Sequence, residues 1–254
     1  MELDIEQLRA QHKPIKEPVV REDGAPLDPG VPPELVVSIW LGKDCDQITP
    51  ADASIMIADF GEAFEPSKTR RYAAHAPLLI APPESRFADA GDLDEPLSFP
   101  SDIWTLACTI WEIFGCGPPF ESLAPSLDDV TIQHVDMLGK LPERWWREWK
   151  ERANWFDEDG RKNVKEELRW RHWTGYWDWD TRFSQFIRLS REDYEFDYFT
   201  DEEEIAFQSM LKAMLVLEPT QRATIQQVLD CEWMQRWGLP ELREMHACLD
   251  SSKG

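Results

Sequence analysis

Two apolar runs interrupt an otherwise polar chain. Ile55-Met56-Ile57-Ala58 is short and compact, ends at Asp59-Phe60-Gly61, and predicts a strand buried on both faces. Ile103 to Cys116 is apolar nearly all round, broken by Glu112, and predicts a central buried helix. Ser101 is a suitable N-cap for that helix, with Asp102 in its first turn. Gly115, Gly117, Pro118 and Pro119 should stop it near Phe114.

The rest of the pattern predicts mostly helices. Residues 2–12 read as a short helix with Leu3, Ile5 and Leu8 as its apolar positions. Residues 13–34 hold six prolines and should run extended over a surface. Val36, Val37, Ile39 and Trp40 predict a short strand, and Thr49-Pro50-Ala51-Asp52 a turn or one helical turn. Residues 62–100 lack periodicity, and a structureless stretch of that length is usually functional. Further helices are expected over 128–139, over 143–152 with Trp145, Trp146 and Trp149, and over 202–217. The last of these carries Ile205, Phe207, Met210, Leu211, Met214 and Leu215. Thr224 and Gln227 form a capping box that opens a last helix through about Trp233. Residues 153–200 give no clear element, the tail after Asp250 should fray, and there is no internal repeat.

Composition narrows the function classes. The 254 residues are 42% hydrophobic, enough for a sizeable core, and carry a formal net charge of −22. That charge disfavours nucleic acid, whose phosphates need basic surface, and suits basic peptide partners or plain solubility. Five scattered cysteines without a C-x-x-C disfavour a disulfide framework or a zinc site. The acidic start is no secretory signal, and the longest apolar run is shorter than a membrane span. A cytoplasmic or nuclear protein with no membrane contact is expected.

The candidate chemistry lies in a series of short motifs. Ile57-Ala58-Asp59-Phe60-Gly61-Glu62-Ala63 is followed by Ala81-Pro82-Pro83-Glu84, then by Ser101-Asp102-Ile103-Trp104, and much later by Glu218-Pro219-Thr220-Gln221-Arg222. In this order and spacing they resemble the second half of the protein-kinase motif set. The chain is therefore similar to the C-terminal lobe of a eukaryotic protein kinase. It resembles the SR-protein kinase group more narrowly, through Asp102-Ile103-Trp104-x-x-Ala107-Cys108 and through His134-Val135-Asp136-Met137-Leu138-Gly139-Lys140-Leu141-Pro142. The resemblance covers most of residues 1–240.

It implies a mainly α fold with a central buried helix, a few short strands and no N-lobe. Residues 1–54 would be the Pro-rich insert before the Asp-Phe-Gly strand. Residues 55–240 would be the lobe, with an activation segment at 59–84 and a Trp-rich insert at 143–200, and 241–254 a tail. Asp59, Phe60 and Gly61 would bind ATP, with Asp59 a magnesium ligand, Phe60 packed in the core and Gly61 giving the sharp turn. Glu84 and Arg222 would make a buried structural ion pair. Asp102 would brace a catalytic loop or simply favour the helix start, beside Trp104. The implied partner is a protein, with an Arg/Ser-rich one the narrower expectation.

Other family parts are missing from this sequence. There is no Gly-rich phosphate loop, no strand lysine in a V-A-I-K-like context, and no H-R-D-x-x-x-x-N before Asp59. His134-Val135-Asp136 lies too late and lacks the Asn, and Ala76 and Pro77 occupy a neighbourhood where many kinases carry a threonine. No catalytic residue is therefore assigned, and the expectation is a partial serine/threonine kinase domain, or pseudokinase, inactive as this chain. One alternative is a non-catalytic module that holds Arg/Ser-rich segments or pairs with a complete kinase. Another is a decayed product exposing apolar surface near Phe60 and 55–58.

Three further features have two readings each. Eight tryptophans between 145 and 179 form either a packed insert or an aromatic docking surface. Eight acidic residues from Glu192 to Glu204 form a solvated face or a patch for Arg-rich segments. Lys68, Thr69, Arg70 and Arg71 form exposed charge or a phosphate-responsive cluster.

Overall fold

The computed structural model describes residues 13–38, 47–52, 54–87, 96–115, 117–122, 125–169 and 177–251. The expected helix over 2–12, Ile39 and Trp40 of the expected strand, Cys45, Cys116, Trp170 and Trp173 lie outside them. The chain divides into two compact units, Met1–Ile55 with Met245–Gly254, and Met56–Glu244. The described fold is mainly helical, and no described helix is long and apolar enough to cross a membrane.

In the first unit, β1 (Lys16–Pro18) pairs antiparallel with β2 (Glu34–Val36), Glu17 opposite Leu35. A two-stranded ribbon thus forms inside the Pro-rich stretch. Pro18 is tolerated because a two-stranded ribbon has only edges. The expected strand at 36–40 is shifted toward the N-terminus and ends at Val36. Pro50–Asp52 make one 3₁₀ turn, and the Thr49 hydroxyl donates to the Asp52 carboxylate at 2.7 Å.

The second unit is organised around tryptophans. After α1 (Glu84–Phe87), which sequence periodicity did not predict, α2 spans Phe99–Phe114. The helix starts earlier than the Ser101 reading, with Ser98 at the cap and Pro100 in the first turn. Pro is favoured there because its missing N–H has no intrahelical partner to lose. One face, Ile103, Trp104, Ala107, Cys108 and Trp111, is buried. The opposite face is not: Leu106 is 37% and Ile113 73% exposed, so α2 is a central helix open on one side rather than buried all round.

α3 (Leu127–Leu138) opens with a capping box of Ser126 and Asp129, and α4 (Glu143–Glu148) is followed by a 3₁₀ stretch, Lys150–Asn154. Trp145, Trp146, Trp149, Trp155 and Trp179 are all buried, so these rings of the Trp-rich stretch are core. α5 (Trp179–Phe183) continues through a π turn, Ser184–Arg188, into α6 (Leu189–Asp193). α7 (Asp201–Met214) ends three residues before the expected position, and its Ile205 faces solvent. The Thr224–Gln227 capping box opens α8 (Ile225–Asp230), which stops short of Trp233. A further helix, α9 (Leu239–Ser251), occupies residues read as tail.

The strand expected at 55–58 is absent. Ile55, Met56 and Ile57 are 94%, 88% and 78% exposed, outside any regular element. A strand needs neighbours for its N–H and C=O groups, and no described strand pairs with this run.

Candidate functional site

The Asp-Phe-Gly turn is built on an unusual backbone. Asp59 has φ 60° and ψ 59°, the left-handed region that Asp tolerates better than most residues, and a 3₁₀ turn follows over Phe60–Glu62. The sharp bend therefore falls on Asp59 rather than on Gly61, whose φ is not positive. Phe60 is 67% exposed and does not pack into the core, because nothing described covers it. Glu62, two residues on, is the anchored one. Its carboxylate accepts from Arg71 Nη1 at 2.8 Å and lies 3.0 Å from His75 Nδ1. The Arg71 hydrogen bond, then those of His75, hold Glu62 below the usual carboxylate range. Arg71 also lies over the Phe64 ring, and Lys68 pairs with Glu65. Two cations of the 68–71 cluster are thus matched to carboxylates.

Magnesium bridging nucleotide phosphates leans on carboxylates together with groups that hold the phosphates themselves. Asp59 offers one exposed carboxylate, and among the described residues no group of three potential metal ligands forms. Among the described residues, Asp59 therefore belongs to no such ligand group.

Glu84 and Arg222 make the best-formed charged site. Arg222 donates from Nη1 and Nη2 to the two carboxylate oxygens of Glu84 at 2.8 and 2.6 Å. The side chains are 0% and 6% exposed. Ser101 Oγ donates to Glu84 at 2.9 Å, so the side chain read as an N-cap braces the ion pair instead. Arg222 also donates to the carbonyls of Pro100 and Val216, at 2.8 and 2.7 Å, and lies 5.0 Å from the Trp104 ring. A buried ion pair holds only when its remaining donors are satisfied, and here they are distributed over three segments. Asp102, one turn into α2, faces solvent, and partial burial raises its carboxyl. Trp104 is fully buried.

Sequence reading missed a second charged assembly. Arg86 donates to Leu127 O and Thr131 Oγ1 and reaches Asp128 at 2.6 Å, while Trp149 Nε1 donates to the same carboxylate oxygen at 2.8 Å. Lys162 meets Asp136 at 2.6 Å, with side chains 12% and 5% exposed. Arg182 is buried and donates to Trp177 O, Pro119 O and Gln133 Oε1 at 2.9, 2.9 and 3.1 Å. Burial lowers its guanidinium to about 10 against the opposing charges of Asp136 and Glu121. Lys162, Asp136, Arg182 and Glu121 line a cleft of about 210 Å³ with Asp129 and Trp177. Lys162 and Asp136 pair with each other, and neutral oxygens hold Arg182, which makes the cleft a structural element first.

His134 is not a catalytic-loop histidine. It lies in α3, buried against Trp104 and Phe120. Searches against protein-family models and curated proteins find no match to this chain.

Proposed function

We propose that the chain is part of a serine/threonine protein kinase of the SR-protein kinase type, its C-terminal lobe, and that by itself it transfers no phosphate. The Glu84–Arg222 pair carries the reading. The resemblance calls for a buried ion pair between the glutamate of Pro-Pro-Glu and an arginine near the end of the domain, and a bidentate buried pair joins Glu84 to Arg222, 138 positions later. The inactivity follows from the other end of the motif series. Phosphoryl transfer is mostly positioning and charge neutralisation. Asp59 is exposed beside an exposed Phe60, and the sequence holds no phosphate loop, strand lysine or catalytic loop before it. Purified chain incubated with labelled ATP, magnesium and an Arg/Ser-rich peptide is expected to give no labelled peptide. Transfer that disappears in Asp59→Ala would overturn the inactivity.

A second reading, a non-catalytic module for basic Arg/Ser-rich segments or a partner kinase, is favoured by the surface. The acidic run Glu192–Glu204 presents Tyr194 and Phe196 stacked at 6.0 Å, and Tyr198 beside them in sequence is 69% exposed. Aromatic faces among carboxylates suit guanidinium groups. Arg/Ser-rich peptide should bind the isolated chain, and binding should weaken as salt rises. Salt-insensitive or absent binding would remove this reading.

A further inference from the structure

A second cleft, of about 530 Å³, opens where α3 and α7 end. That volume lies in the range of ligand clefts. Its floor is apolar, formed by Leu138, Trp179, Leu215 and Val216. Lys140 and Lys212 also line it.

The two lysines differ in an informative way. Lys140 pairs with Glu143 at 3.1 Å. Lys212 lies 5.1 Å from the Trp179 ring, and no described carboxylate comes within ion-pair distance of it. In a chain with 49 acidic and 27 basic residues, most described cations have found a carboxylate. Lys212 belongs to the last turn of α7, where the helix dipole favours a positive charge. Its ammonium lies over the Trp179 indole, a cation on a ring face, at the wall of the cleft. The Glu218 carboxylate, which also lines the cleft, is neutralised by Arg144, which donates to both its oxygens at 2.6 and 2.9 Å.

We propose that this cleft docks an acidic segment of a partner protein, which inserts an apolar side chain between flanking carboxylates. The floor supplies apolar area for the anchor. Lys212 takes one carboxylate, and Lys140 exchanges Glu143 for another. The charge of the cleft selects the occupant: a basic segment would meet Lys212 and Lys140 as like charges, which disfavours it. The site is separate from the acidic face offered to Arg/Ser-rich segments, and it stands whether or not that face binds them.

The probe is a fluorescein-labelled peptide, capped at both ends, of sequence Glu-Asp-Glu-Leu-Phe-Glu-Asp, followed by anisotropy with the full chain at low salt. Saturable binding is expected, weakened roughly five- to tenfold by Lys212→Glu and again by Lys140→Glu, and lost when Leu-Phe in the peptide becomes Ser-Ser. Lys212→Met, which removes the charge without reversing it, should weaken it less than Lys212→Glu. Circular dichroism melts of the variants should match the parent. An Arg/Ser-rich peptide should not displace the probe. No saturable binding, affinity unchanged in the lysine variants, or displacement by the basic peptide would overturn the proposal.

Discussion

The imidazole of His134 stands edge-on to the Phe120 ring at 4.5 Å and to the Trp104 indole at 5.1 Å. It is 3% exposed, and Nε2 has no hydrogen-bond partner. Burial, and then the charges of Arg182, Arg222 and Arg86, lower its pKa from 6.5 to about 3. The folded chain keeps this ring neutral, whereas the unfolded chain protonates it near 6.5.

Acidification should therefore destabilise the fold through His134. Above pH 6.5 the two states bind the same number of protons here, and the residue adds no pH dependence. Between 6.5 and about 3 the unfolded state binds more, so stability falls as pH falls, and it levels off below that window. Urea midpoints at pH 7 and pH 5 should differ less in His134→Phe than in the parent. Equal differences would exclude the residue as a source.

Breaking the Glu84–Arg222 pair should cost more than deleting it. Arg222→Ala leaves Glu84 charged and 5% exposed, with a loss of about 3–5 kcal/mol in chemical denaturation. The double change Glu84→Leu with Arg222→Met should recover a large part of that loss, because apolar groups of similar size need no partner. A double variant no more stable than Arg222→Ala would show that the hydrogen bonds to Pro100 and Val216 matter more than the charge.

Asp59 should respond to backbone chemistry rather than to loss of its carboxylate. At φ 60° a residue with a Cβ is strained by about 1–2 kcal/mol relative to glycine, with Asp among those that tolerate it best. Asp59→Gly is expected to be neutral or slightly stabilising, and Asp59→Val destabilising, in thermal melts. Two melts at the same temperature would refute the left-handed turn.

Gly115 closes α2 against the π turn. A Cβ there would lie 2.4 Å from Phe186 O, a contact with backbone that cannot rotate away. Gly115→Ala should lower stability by about 1–3 kcal/mol, the usual cost of overpacking. Gly117, with nothing nearer than 4.0 Å, should accept alanine with little change in the same melt.

The sequence carries some of this in legible form and some not. α2 was readable because Gly115 and the prolines beyond it stop any helix, and α8 because Thr224 and Gln227 satisfy each other's orphan N–H groups. Residues 55–58 misled because an apolar run records only that a stretch is apolar. Whether it is covered depends on neighbours that periodicity does not name. Ser101 misled for a related reason: its hydroxyl suits a cap, but the helix begins two residues earlier and that hydroxyl donates to Glu84. Arg86, Lys162 and Arg182 were illegible, since their partners Asp128, Asp136 and Pro119 are fixed only by how α3 packs. Of the site residues, Glu84 and Arg222 come together, while Asp59, Phe60 and Asp102 stand at the surface.

The separation between Glu84 and Arg222 also sets a clock. A ribosome adds roughly 5–20 residues per second, so the 138 positions between them take on the order of ten seconds to synthesise. During that interval α1 and α2 exist without the guanidinium that ties them to the segment after α7. Glu84 must wait in water, because burying it alone would strand a charge. Closure of this unit is thus deferred until most of the chain has emerged, and anything that shields the growing chain from aggregation has to act across that wait.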